Sequence, residues 1–270
     1  MARDVVSAKL DIIFKKIFTD NKDMLSSFVA NMLDIPQESI SEIQITNPEL
    51  PPDNLDGKFS RLDLNMRVDN RLVNVEIQVK NNPDYRDRTL FYWAKLYTSE
   101  LKSGEEYSEL KQAITINIIN FNMFEGSNYH TEIAAMIKGT DEVFSDKFGI
   151  HFFELKKVGK KPNPNNTKEL WLQFINADSE EDFDMINNTN VPIMQKAVRV
   201  IYDMSEDTRI REIARLREKA LHDEASVRKS EREAGMAVGV AKGRAEEKAL
   251  ITEKMKAAGM SDEEIMKIIG

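Results

Sequence analysis

Cysteine is missing from all 270 residues of this chain, which excludes disulfide staples and thiolate metal sites. Histidine is scarce. Its three copies, His130, His151 and His222, are too far apart for an HExxH-type zinc pair and read as structural or exposed rings. No unbroken run of about 18 apolar residues occurs, and Met1-Ala2-Arg3-Asp4 leads into no apolar signal core. Neither a membrane span nor a secretory leader is therefore expected, and a soluble cytoplasmic protein is. The G-x-S-x-G elbow and the G-x-x-x-x-G-K-[ST] loop are both absent, so serine hydrolase and P-loop NTPase readings have no support. Positive charge also falls short, with 38 Lys and Arg against 46 Asp and Glu, a formal net charge of -8. That balance counts against a large non-specific nucleic-acid footprint. It leaves room for a local basic strip, and Lys58, Arg61 and Arg67 cluster in one short stretch.

What is present is enough apolar sequence, 41%, to bury a real core in one or two domains. The most informative stretch is Arg61 to Lys80, RLDLNMRVDNRLVNVEIQVK. It alternates as two strands around a tight turn at Asp69-Asn70. Leu62, Leu64, Met66 and Val68 share one face of the first strand, and Val73, Val75, Ile77 and Val79 share one face of the second. A two-residue loop sets residue 68 against residue 71, and counting outward from there puts Asp63 directly across from Glu76. Two carboxylates then share a polar face at a Cβ separation of roughly 5 Å, where like charges repel. Two readings are open: a solvated face that carries two acids, or a pair balanced by a divalent cation. Gln78 and Lys80 continue the same polar face.

The rest of the chain alternates helix and strand. KLDIIFKKIF places Ile13, Phe14, Ile17 and Phe18 at helical spacing with Asp11 on the more polar side, and a second helix runs to about Leu33. Ile40 to Thr46 reads as a strand. Tyr85 to Lys102 reads as a long helix with Leu90, Trp93, Ala94, Tyr97 and Leu101 inward, closed by Gly104 as its cap. Its aromatics read as core rather than as a platform for bases. Ala113 to Phe121 suits a central strand buried on both faces. Strands are also expected over His130 to Ile137 and Ile150 to Leu155, which makes an α/β or α+β layered core of a mixed sheet flanked by helices.

The basic, Asn- and Pro-rich run Lys156 to Lys168 reads as a boundary, and its lysines 156, 157, 160 and 161 could alternatively touch phosphates. The expected divisions are a core over residues 1–157, a helical extension over 169–205, and a charged helix with a short terminal helix over 206–270. Gly235, Gly239 and Gly243 recur every four residues of that charged helix, where each costs about 1 kcal/mol. Either another backbone passes close by, as in self-association into a homo-oligomer, or the tail is a low-stability helix. Ser261 and Glu264 form a capping box ahead of Asp262 to Ile269.

Taken together, LDIIFKKIF, DGKFSRLDL, VEIQVK, RTLFYWAKLYTSELKSGEEYSEL and ITINIINF resemble the Rpn group, the recombination-promoting nuclease or transposase branch of the PD-(D/E)xK superfamily. The segments span about residues 9 to 155, and the glycine-punctuated helix with its SDEEIMKIIG ending resembles the same group. The resemblance implies a restriction-endonuclease-like core and cleavage of DNA phosphodiesters with Mg²⁺ or Mn²⁺. Carried over by position, Asp63 and Glu76 are the metal-binding carboxylates, Asp11 matches an acidic position of the first helix, and Gln78 stands in the slot usually held by Lys. Lys58 and Arg61 lie near these acids and are the expected DNA contacts. A Gln orients water but supplies no charge, so that task passes to Lys80 or to a second metal. The competing expectation is a weak or inactive member that serves as a DNA-binding or oligomeric partner.

Overall fold

Alternating side chains between Leu64 and Gln78 produce a tight antiparallel hairpin of β2 (Leu64–Val68) and β3 (Arg71–Gln78). The protein is seen here as a computed structural model that describes residues 5–46, 64–99, 101 and 103–269. Asp69 turns the chain at φ 51°, a left-handed conformation that Asp tolerates better than most residues. Its Oδ1 accepts the N–H groups of Ser41 and Glu42, each at 3.0 Å, which ties the turn to the incoming chain. Val68 faces Arg71 and Leu64 faces Val75, the register expected from a two-residue loop. Leu64, Met66, Val68, Val73 and Val75 are buried together on one face.

On the outer side, β1 (Ile43–Ile45) pairs antiparallel with β2. It is shorter than the Ile40 to Thr46 strand expected, because the N–H groups of Ser41 and Glu42 serve the Asp69 side chain instead of a ladder. On the inner side, β4 (Gln112–Ile119) runs parallel to β3, and β6 (Val143–Glu154) runs parallel to β4. β5 (His130–Met136) closes the far edge antiparallel to β6, for a strand order of β1-β2-β3-β4-β6-β5 among the described residues. Every residue from Ala113 to Ile119 is buried, so β4 is the doubly covered strand that its apolar run predicts.

Parallel β3 and β4 need a crossover, and α3 (Tyr85–Thr98) supplies it. The row it turns inward is Tyr85, Thr89 and Trp93, whereas Leu90 is 53% exposed and Ala94 is exposed as well. Polar anchors choose that row: the Tyr85 hydroxyl donates to Asn117 and the Trp93 indole N–H donates to the Ala113 carbonyl at 2.8 Å. A hydrophobicity count does not register such anchors. The helix stops at Thr98, short of Lys102, and Gly104 (φ 93°) lies in a turn beyond it rather than at its cap.

The other core is aromatic. α1 (Asp11–Asp20) and α2 (Lys22–Met32) bring Phe14, Phe18 and Phe28 within 6.0 Å of one another, ring centre to ring centre. From α4 (Thr167–Asn176), Trp171 enters the same cluster at 5.7 Å from Phe18 and 6.0 Å from Phe28. Asn166 caps α4, a Ser179–Asp182 capping box opens α5 (Glu180–Asn187), and Pro192 begins α6 (Pro192–Glu206). Helices α4, α5 and α6 therefore share a core with α1 and α2. Lys157 of the basic run is turned inward, its side chain only 8% exposed. Its Nζ lies 2.6 Å from the carboxylate of fully buried Glu154.

Residues up to Arg215 form one compact unit and those from Leu216 a second. In the second, α7 (Thr208–Ala257) continues from the first unit and ends in a turn around Gly259 (φ 86°), where the Met260 N–H returns to the Met255 carbonyl at 3.2 Å. The Ser261–Glu264 capping box then opens α8 (Asp262–Ile269), as expected. An added Cβ at Gly235, Gly239 or Gly243 meets no described atom of this chain within 4 Å. No helix among the described residues is long and apolar enough to cross a membrane.

His130 and His151, remote in sequence, meet across β5 and β6: Nε2 of one lies 3.1 Å from Nδ1 of the other, and the rings stack. Burial, then the Lys168 charge and His151 itself, lowers His130 to about 4, and burial also lowers His151. An unfolded chain binds protons near the ordinary value of about 6.5, so it outcompetes the folded chain for them below that pH. Stability is thus predicted to be full above pH 6.5 and to fall as the pH drops toward 4. With solvent screening the half-buried rings, the loss is about 1–2 kcal/mol. Urea midpoints across pH 4 to 7.5 check it, and His130→Asn should flatten the slope. Trp171→Ala is predicted to cost about 3–5 kcal/mol in the same assay.

Candidate active site

Strand alternation puts Asn74, Glu76 and Gln78 on the face of β3 opposite Val73 and Val75. Across the hairpin Asn74 faces Asn65, and their amides are joined at 2.9 Å. On the other side Glu76 is paired with Asn117 and Gln78 with Ile119. Glu76 thus lies two residues from the carboxyl end of β3, where the antiparallel hairpin gives way to parallel strands. The carboxyl ends of such strands are where open α/β sheets take ligands.

The first turns of α3 descend onto this patch. Tyr85 is 1% exposed, and its hydroxyl donates to Asn117 Oδ1 at 3.3 Å. The Asn117 amide in turn donates to the Thr115 hydroxyl at 3.3 Å and the His151 carbonyl at 3.1 Å. Burial, reinforced by the Glu76 charge, holds the Tyr85 hydroxyl well above its ordinary titration range, so it remains a proton donor. Arg88, one turn on, places Nη2 3.4 Å from Glu76 Oε1. Its guanidinium carbon lies 5.8 Å from the Tyr85 ring centre and 5.9 Å from that of Tyr92. The Glu76 side chain is 19% exposed and that of Arg88 34%, so the pair is partly open to solvent.

Gln78 turns its Nε2 onto the Lys80 carbonyl at 2.7 Å. β3 ends at Gln78, so Lys80 does not continue the polar face of the strand as expected. The Asn81-Asn82-Pro83 breaker follows at once, and Lys80 lies in a bend. Asp11 is the first residue of α1, a helix that packs against β3, and its Oδ1 accepts the Ile12 N–H at 2.9 Å. Asp63, Lys58 and Arg61 lie outside the described residues. Among the described residues, no three His, Asp or Glu side chains converge as a metal site. What the described patch presents to a cation is carboxylate oxygen at a partly exposed strand end, already facing one positive charge. That chemistry fits a hard divalent ion.

Arg88, Tyr85 and Asn117 are the residues that sequence reasoning passed over. A signal existed for two of them. Tyr85, Arg88 and Tyr92 fall at i, i+3 and i+7, which stacks an arginine between two rings on one helical face.

A mixed sheet flanked by helices, with an acid on its hairpin and a crossover helix above it, has the architecture of a PD-(D/E)XK nuclease. The sequence model of the PD-(D/E)XK nuclease family transposases matches residues 8–231, and the chain belongs to this family. No curated protein and no solved structure matches it.

Removing the hydroxyl that tethers α3 to the sheet isolates its contribution. Tyr85→Phe leaves Asn117 Oδ1 without that donor and is predicted to destabilise the fold by about 1–2 kcal/mol, read from the urea midpoint.

Proposed function

We propose that this chain is a divalent-metal-dependent DNA endonuclease whose work is tied to mobile elements or recombination. Family membership supports a nuclease. The observation that carries the finer reading is the hairpin register, with Glu76 partly exposed on the polar face and facing Arg88. Asp63 is proposed as the second acid, from the count that puts it across from Glu76, and Asp11 as a third oxygen donor from α1. Mg²⁺ or Mn²⁺ held by these oxygens supplies Lewis-acid activation of water and charge relief at the phosphate. Glu76 and Asp63 bind and orient the ion. Gln78, with one amide N–H on the Lys80 carbonyl, has its Oε1 to accept a hydrogen bond from the attacking water and orient it. Lys58 and Arg61 are proposed to bind the DNA backbone.

The same Gln78 contact favours a second reading, a weak or inactive member that binds DNA on a nuclease scaffold, since no lysine stands in that slot. A plasmid-nicking assay with Mg²⁺, Mn²⁺, Ca²⁺ or EDTA separates the two. Under the first reading, Asp63→Ala and Glu76→Ala each lower cleavage by about 10³-fold or more while the fold survives. A wild type that binds DNA equally well with and without Mg²⁺, and cuts under no divalent ion, establishes the second.

Self-association through the exposed length of α7 is the remaining proposal, motivated by the three glycines whose added Cβ meets, beyond its own helix backbone, no described residue of this chain. Removing residues 222–270 spares buried Ala214 and is predicted to lower the number of chains per sedimenting particle. An unchanged number of chains per particle ends that idea.

A further inference from the structure

Phosphodiester cleavage needs a positive charge against the non-bridging oxygens, and the position that usually provides it holds Gln78 here. Its amide is hydrogen-bonded to a backbone carbonyl and carries no charge. Arg88 is a cation that touches the motif carboxylate on the described patch. It approaches Glu76 from the crossover helix at 3.4 Å, longer than the 2.7–2.9 Å of a tight charge-assisted contact. One nitrogen makes this contact, and the guanidinium is a five-donor planar fork whose geometry suits phosphate oxygens. Tyr85 and Tyr92 flank the guanidinium, and Tyr85 is itself anchored through Asn117, so the fork is held where it is. Arg86 and Lys157 are committed elsewhere: Arg86 donates to the Met123 carbonyl at 3.1 Å and Lys157 to Glu154 at 2.6 Å.

We propose that Arg88 is the phosphate-contacting cation of this site, balancing Glu76 when no metal is bound and meeting the scissile phosphate when DNA is. The inference rests on the nuclease reading for its substrate. It carries a consequence that a simple brace does not share. Arg88 and a divalent ion claim the same carboxylate, so removing Arg88 strengthens ion binding while it weakens DNA binding.

The test uses the full chain and the variants Arg88→Met and Arg88→Lys, with circular dichroism confirming the fold of each. Mn²⁺ affinity without DNA is measured by calorimetry. The affinity for a short duplex is measured in Ca²⁺ across a salt series, and nicking is measured in Mg²⁺. Arg88→Met is expected to bind Mn²⁺ about two- to fivefold more tightly, the scale of a partly exposed ion pair. It is expected to bind DNA about tenfold more weakly, with a salt slope reduced by roughly one. Arg88→Lys is expected to restore the slope. Unchanged affinities for both ligands, or a loss of both together, overturns the assignment and leaves Arg88 a structural brace. A wild type that binds DNA without cutting it sinks the nuclease reading, and the two affinity measurements still decide Arg88. A wild type that binds no DNA overturns both.

Discussion

Everything at the candidate site depends on the register of one hairpin. Side chains alternate across a strand with a period of two, so a slip of a single residue between β2 and β3 would carry Glu76 into the core and Val75 out of it. The turn prevents that slip. Asp69 adopts a left-handed conformation and holds two backbone N–H groups of the approaching chain with one carboxylate oxygen. Behind the turn, Leu64, Met66, Val68, Val73 and Val75 are fully or almost fully removed from water. A slipped register would expose this whole set, at about 1.5–3 kcal/mol per large side chain.

From that hairpin the sheet changes character. β3 is antiparallel to β2 and parallel to β4, so the chain leaves its carboxyl end through a crossover, and the crossover helix has to lie over the polar face. Asn65, Asn74, Thr115 and Asn117 would be expensive to cover with an apolar helix. They are satisfied by one another and by Tyr85. The same geometry delivers Arg88 to Glu76. Site and scaffold are therefore coupled through α3: the contacts that seat the helix are the ones that aim its arginine.

Much of this could be read from residue order alone. The hairpin, its register, the central position of the Ala113–Ile119 run, the first two helices and the terminal capping box are local patterns, set by alternation, helical spacing and turn chemistry. So was the family resemblance, because motif order survives without any knowledge of contacts. Where reading failed, long-range contacts decided. Leu90 looked inward by periodicity, yet hydrogen bonds from Tyr85 and Trp93 rotate α3 so that Leu90 faces solvent. Lys80 looked like a continuation of the strand, yet the strand stops two residues earlier.

What the sequence by itself determined is which face of each strand is polar, and hence that Glu76 and Gln78 share one. Backbone geometry enforces this within a few residues. What only the tertiary structure decided is the company those side chains keep. Arg88 stands twelve residues from Glu76, Asn117 thirty-two from Tyr85, and His151 twenty-one from His130. Each meeting requires a helix to dock or a strand to choose its neighbour. Those choices are made by the summed burial of two cores and by a few buried hydrogen bonds, and no local pattern encodes such a sum.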